Sequence, residues 1–341
     1  MASGVGAVVL AAAVLCLSGC ANLGYYWQSA TGHLKVMQAA KPVEEWLGDA
    51  AAPQRLKDKL ALSQRIRAFA SRELRLPDNP SYRRYADLQR TAVVWNVVAA
   101  PEFSIKLKTW CFPFTGCVGY RGYFNEAEAK AEAARLAADG LESSVYPVPA
   151  YSTLGWMNWA GGDPLLNTFI NYPDAELARL VFHELAHQLV YVRDDTTFNE
   201  SFAVAVEQEG VRRWLESQGR PAELADFHAA QTRKREFAER VTQARERLAA
   251  AYAMDISREA KLEHKRGEWE RLRVSYPALP AEPNNAFLAS IAVYTELVPV
   301  FEQLLAESGS LEAFYKRVKS LARDPSTREA YFTKAGYRRS S

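Results

Sequence analysis

The residues with the most chemical content lie in one short run, His183-Glu184-Leu185-Ala186-His187. Histidines four positions apart leave the same face of a helix. That spacing lets two imidazole nitrogens reach one Zn²⁺ at about 2.0–2.1 Å. Glu184 follows the first histidine and can accept a proton from water held near such an ion. The plainer reading is two surface histidines on an amphipathic helix. The flanks argue against it, because Leu180, Val181, Phe182, Leu185, Leu189 and Val190 predict a buried helix. A buried glutamate between buried histidines needs a polar or metal partner.

A third ligand is expected downstream. Glu200 stands thirteen residues after His187, in Phe198-Asn199-Glu200-Ser201-Phe202-Ala203. A turn over Val192–Thr197 would return a second helix beside the first, with Glu200 in its first turn. Glu207, two helical turns on and sharing that face, is the rival, and Glu209 is another. After His187 the next histidine is His228. Three protein ligands leave zinc an open position, as catalysis requires, whereas a structural zinc wants four ligands and commonly cysteine. The cysteines are otherwise engaged. Cys111 and Cys117, in Cys-Phe-Pro-Phe-Thr-Gly-Cys, are expected to pair in an oxidising compartment. Pro113 and Gly116 let the five intervening residues turn back.

The elements that must position these groups follow from periodicity and breakers. Pro173 with Asp174 and Glu176 marks the start of the histidine helix, which should run to about Tyr191. A second helix should span about Asn199 to Gly219. Residues 222–273 are long and densely charged, and Met254–Ser257 predicts a turn and an antiparallel helical hairpin. Such a pair is first a solvated scaffold and second a lid. Two more helices are expected over 285–307 and 311–322. Upstream, residues 21–52 read as a tether and lead-in segment, and a helix over 54–75 is broken by Leu76-Pro-Asp-Asn-Pro80. Thr91–Ala99 reads as a buried strand, Phe103–Trp110 as a half-buried one, and Val118–Phe124 as another. A capping box at Asn125–Glu128 opens an Ala-rich helix ending at Gly140, and Ser144–Trp156 is extended. The fold class is therefore α+β: a mixed strand/helix part, then a mostly helical part carrying the histidines. Residues 20–341 are expected to form a single domain.

Composition narrows the partners. The 341 residues are 48% hydrophobic and 24% charged, which excludes a disordered chain. Forty-two basic against 40 acidic side chains give a net +2 and no reason to expect nucleic acid. Residues 1–19 carry no charged side chain. The apolar run Val5–Leu17 is too short to span a core of about 30 Å, but suits the apolar stretch of a signal peptide. It ends in Leu17-Ser18-Gly19-Cys20, which resembles the lipobox of bacterial lipoproteins, although no Lys or Arg precedes the run. Residues 1–19 are then a lipoprotein signal peptide. Cys16 leaves with it, and Cys20 carries the lipid that ties the chain to a membrane. By the same resemblance, Ala21 is not the Asp that retains lipoproteins at the inner membrane. The expected location is the outer membrane, facing the periplasm.

With these residues in view, the chain resembles the predicted-aminopeptidase family of bacterial lipoproteins, a gluzincin-type group. The likeness runs through Gly24-Tyr-Tyr-Trp-Gln, Leu76-Pro-Asp-Asn-Pro-Ser-Tyr82 and Trp110 to Phe124. It continues through Ala150-Tyr-Ser-Thr-Leu-Gly-Trp156, the HELAHQ block, Phe198–Ala203 and Asn284-Asn285 to Tyr294. The resemblance implies a glutamate on the following helix as third zinc ligand. It also implies a peptide laid along an edge strand. Tyr151, Ser152, Thr153, Leu154 and Gly155 are the candidates for that strand, with a purely structural strand as the alternative. A Tyr or His usually stabilises the oxyanion in such enzymes, and Tyr294, Tyr191, Tyr120, Tyr123 and His228 are open candidates. The expected function is a lipid-anchored zinc metallopeptidase with one zinc per chain, hydrolysing periplasmic peptides. Aminopeptidase action comes first, with the 222–273 hairpin closing one end of a cleft. Endopeptidase action on envelope proteins and a non-catalytic scaffold are the alternatives. The intact Glu184 weighs against the scaffold.

Overall fold

The computed structural model describes residues 23–112, 116–150, 152–155, 158–291 and 297–336. It opens with helix α1 (23–39), β1 (Lys41–Pro42), α2 (Val43–Gly48), α3 (Gln54–Arg72) and β2 (Arg84–Ala86). The strand-rich part follows: β3 (Val94–Pro101), β4 (Trp110–Phe112), β5 (Gly116–Val118), β6 (Arg121–Tyr123), α4 (Glu126–Ala138), β7 (Leu141–Val148) and β8 (Leu165–Leu166). The remainder is helical: α5 (Asp174–Leu189), α6 (Thr196–Ser217), α7 (Pro221–Ala253), α8 (Arg258–Ser275), α9 (Asn285–Ile291), α10 (Val298–Ser308), α11 (Leu311–Arg323) and α12 (Pro325–Lys334). The architecture is the α+β, mostly helical class expected. No described helix is long and apolar enough to cross a membrane.

The main core gathers where α5 packs on α6, with α3 and α10 flanking them. Phe182, Phe198, Phe202, Phe301 and Phe314 are all fully buried there. Burying an aromatic of this kind stabilises the fold by about 1.5–3 kcal/mol. Gly210 lies inside α6, where glycine costs about 1 kcal/mol relative to alanine. Its place is explained by proximity, since a Cβ there would stand 2.7 Å from the Phe182 ring. The missing side chain lets α6 close on the histidine helix.

Among the described residues, three small sheets sit beside this core. β3 is the centre of an antiparallel sheet of order β6-β3-β7, with Val97 opposite Arg121 on one side and Val145 on the other. β2 pairs antiparallel with β1 and parallel with β8. β4 and β5 form a hairpin in which Cys111 faces Cys117, and the two are joined by a disulfide. Gly116 in that hairpin has φ +77°, and a Cβ there would collide with the Asp194 carboxylate. Asp194 in turn accepts a 2.6 Å hydrogen bond from the Cys117 N–H, pinning the hairpin to the α5–α6 turn.

Several expectations are corrected. Residues 23–39 form a helix, not a tether, because Val36 and Met37 bury against the body. Of Phe103–Trp110, expected as a strand, only Trp110 lies in one, as the first residue of β4. The segment's alternating apolar residues Phe103 and Ile105 turn instead into a cluster built by α7, α8 and α9. Residues 285–307 are not one helix: α9 is described to Ile291, and α10 starts at Val298 with Pro299 in its first turn, where proline is favoured. Helix α12 was not expected, although Asp324 caps it and Pro325 opens it, the usual start signals. The α7–α8 hairpin is present, with its turn at Met254–Ser257. It packs around Val241, Leu248, Trp269 and Leu272, and is tied to the sheet end by Lys265–Glu142 and Arg258–Glu102 ion pairs.

Candidate active site

Helix α5 is started by Pro173 and carries Asp174 and Glu176 in its first turn, the favourable end for negative charge. Leu177, Val181, Phe182 and Leu185 bury one face of it. His183 and His187 project from the other. Helix α6 is capped by Asp195, whose side chain accepts the Phe198 N–H. Asn199 clasps the intervening turn twice: its carbonyl oxygen accepts the Val192 N–H and its amide donates to the Val192 carbonyl, both at 2.7 Å. This clasp fixes the register that delivers Glu200.

Three donor atoms converge as a result. His183 Nε2 and His187 Nε2 are 3.1 Å apart, Glu200 Oε2 is 3.3 Å from the first, and Glu200 Oε1 is 3.6 Å from the second. Ligands of one tetrahedral zinc with bonds of about 2.0–2.1 Å lie about 3.3 Å from each other. Among the described residues, this is the group of His, Cys, Asp or Glu side chains that could hold a metal ion.

Glu207 has a different place from Glu200. Its carboxylate lies 2.8 Å from His183 Nδ1 and accepts from Arg179 at 3.0 Å. Burial would raise the Glu207 pKa, but Arg179 and His183 outweigh it and hold the carboxyl below the usual range. An ionised carboxylate can only accept, so His183 Nδ1 carries a proton and the lone pair of its neutral form sits on Nε2, facing the other two donors. Burial alone would lower the His183 pKa, yet the hydrogen bonds to Glu200 and Glu207 hold it well above the ordinary value. Glu200 is held below the usual range by His187 and His183 despite its burial. Two imidazole nitrogens and a carboxylate in mutual contact need a positive charge among them, a proton or a cation, and the spacing of the three donors fits a metal. His187 Nδ1 is buried and has no hydrogen-bond partner among the described residues.

Glu184 lies beside this centre and lines the same cleft of about 880 Å³. Burial pushes its pKa above the usual glutamate value, with the two imidazoles pulling the other way. Among the described residues nothing donates a hydrogen bond to it, which leaves its oxygens free for water. One wall of the cleft is apolar, from Val94 on β3, Phe112 on β4, Val118 on β5, and Val148. Helix α1 supplies Tyr25, Tyr26, Ser29 and His33 to the same cleft. The composition of residues 21–52 gave no reason to place them there.

The expected substrate strand takes another form. Leu154 has φ 56° and Gly155 φ 77°, so this stretch is a turn rather than an extended edge strand. Ser152 and Leu154 line the cleft, and Tyr151 lies outside the described residues. The turn is held by buried Asp163, which accepts from the Thr153 N–H at 3.1 Å, from Ser152 and from Gln188. Burial pushes the Asp163 carboxyl up to about 6, against the pull of those hydrogen bonds. Gln188, next to His187, also bonds Ser81 and accepts from Asn79 at 2.7 Å. The Leu76–Tyr82 segment, the 152–155 turn and the histidine helix thus meet at one polar hub. Sequence reasoning missed Asp163, which lies outside every motif.

The oxyanion candidates separate. Tyr120 and Tyr191 line the cleft, and burial raises both phenol pKa values, with the Glu200 charge adding to the effect. Tyr123 packs instead with Trp95, Val97 and Leu136. His228 and Glu209 line a different cavity, and Glu209 pairs with Arg212 and Arg213. Tyr294 and Cys20 lie outside the described residues. None of the described cleft-lining residues belongs to the α7–α8 hairpin.

Neither the curated proteins nor the solved structures return a significant match to this chain. A family model described as "Putative aminopeptidase" matches residues 24–332, a span that takes in the histidine helix, Glu200, the hub and α1. The chain belongs to that peptidase family.

Proposed function

We propose that the protein is a zinc metallopeptidase in which His183, His187 and Glu200 hold the ion and Glu184 is the general base. The observation that carries this reading is the convergence of three donor atoms within 4.8 Å beside an unpaired glutamate in a substrate-sized cleft. When bound, zinc supplies Lewis-acid polarisation of a carbonyl and acidification of water. Glu184 accepts the proton of the attacking water and delivers it to the leaving amine. Tyr120 and Tyr191 are the cleft hydroxyls able to donate to a developing oxyanion. Glu207 orients His183 through Nδ1. Glu207→Gln should therefore keep the fold but weaken zinc affinity by about 10- to 100-fold, read by competition with a chelator. Unchanged affinity would remove Glu207 from that role.

Family membership favours aminopeptidase action, and the test compares kcat/KM for short peptides with a free amine and their N-acetylated copies. Recognition of the amine by one charge-assisted contact is worth about 1.5–3 kcal/mol, or a preference of roughly 10- to 150-fold. A second reading, endopeptidase action, has its own support. Among the described residues, the carboxylates lining the cleft are Glu184 and Glu200, both with other tasks. Equal rates on the two peptide sets would select that second reading.

The same proposal places the enzyme in the periplasm, anchored by a lipid on Cys20. Cys20→Ala should move the protein from the membrane fraction to the soluble fraction, because the acyl chains are its main attachment. Undiminished membrane association in that variant would count against the anchor.

A further inference from the structure

Helix α1 has two faces with different chemistry. Tyr25, Tyr26, Ser29 and His33 project from one face into the cleft. On the adjoining face, Leu23, Trp27, Ala30 and Leu34 recur at helical spacing and fall within one narrow stripe. That stripe is open to solvent: Leu23 is 70% exposed, Trp27 73% and Leu34 54%. From residue 23 to 34 the helix carries no acidic or basic side chain other than His33, which faces the cleft, and the first lysine is Lys35. A contiguous apolar stripe with an exposed tryptophan is expensive to leave in water and marks an interaction surface.

We propose that this stripe rests on a lipid bilayer surface, with α1 lying along the interface. Three features favour lipid as the occupant. The stripe combines aliphatic groups with a Trp, the pattern of helices that seat one face at the headgroup boundary. Its uncharged first three turns end at a lysine, which suits an anionic surface beyond the apolar contact. It also begins three residues after Cys20, and three residues of extended chain reach about 10 Å. A lipid on Cys20 therefore delivers Leu23 and Trp27 to the interface, and in this respect the proposal draws on the anchor reading above. Because the same helix walls the cleft, the cleft lies within about one helix width of the membrane. Peptides would then be taken from the layer next to the lipid.

The test places an environment-sensitive fluorophore on the stripe of the full chain. Ala30→Cys, exposed and central, leaves Leu23, Trp27 and Leu34 intact, and Met254→Cys at the tip of the α7–α8 hairpin is the control. Vesicles of phosphatidylethanolamine and phosphatidylglycerol are added, and emission wavelength and quenching by spin-labelled lipid are read. The expected result is a blue shift and quenching at position 30, neither at position 254, and loss of most of the shift in Trp27→Ser/Leu34→Ser. A probe at position 30 that stays in water on vesicle-bound protein overturns the proposal, as does an equal response at position 254. A vesicle-independent shift that grows with protein concentration also overturns it, by assigning the stripe to a second copy. Intact mass reads acylation of Cys20 separately. A chain without acyl groups that still gives the shift supports the surface and refutes only the anchor.

Discussion

Glu184→Gln should leave the protein folded and able to bind zinc while removing nearly all hydrolysis. The substitution keeps the side chain's size and its place beside His183, but an amide cannot take a proton from water at neutral pH. General-base catalysis of this kind is worth about 10²–10⁴-fold, so the loss should fall in that range. The effect should appear in kcat more than in KM, because the proton moves only as the bond to water forms. Glu184 accepts no hydrogen bond from the described residues, so no structural network is lost with its charge, and Tm should change little. Turnover near that of the unmodified protein would remove Glu184 from catalysis and leave the metal assignment standing.

Much of this site is legible in the sequence for a physical reason. His183, Glu184 and His187 lie within one helical turn and a half, so helix geometry alone decides their relation. Glu200 is reachable because a short turn forces α6 back along α5, and few other acids fall at the right height. Glu207 was readable as a sharer of the same face. Its contact with His183 Nδ1 and Arg179 depends on how far α6 slides along α5, which Gly210 and Phe182 determine by packing. Asp163 was not legible, because its role depends on contacts with residues 81 and 188, far away in the chain. The same holds for α1. Its Tyr-Tyr-Trp composition looks like a linker until the sheet and the hairpin give Tyr25 and His33 a cleft to face. The 152–155 segment, expected to be extended, is turned by a contact distant in sequence: Asp163 captures Ser152 and Thr153 and turns the chain at Leu154 and Gly155.

His183→Ala should empty the metal site. The substitution removes one of the three converging donors, and it leaves Glu207 paired with Arg179, so the helix pair keeps its buried ion pair and the fold. Loss of the Lewis acid removes several kcal/mol of transition-state stabilisation, which corresponds to a fall in turnover of about 10²–10⁴-fold. Neither added zinc at micromolar levels nor a change of substrate should restore it. The most direct test is quantitative metal analysis of the purified protein and of this variant, each dialysed against the same zinc buffer. The proposed site requires about one zinc per chain in the unmodified protein and close to none in His183→Ala. An unmodified protein that takes up no zinc, or a His183→Ala chain that retains a full equivalent, would contradict it.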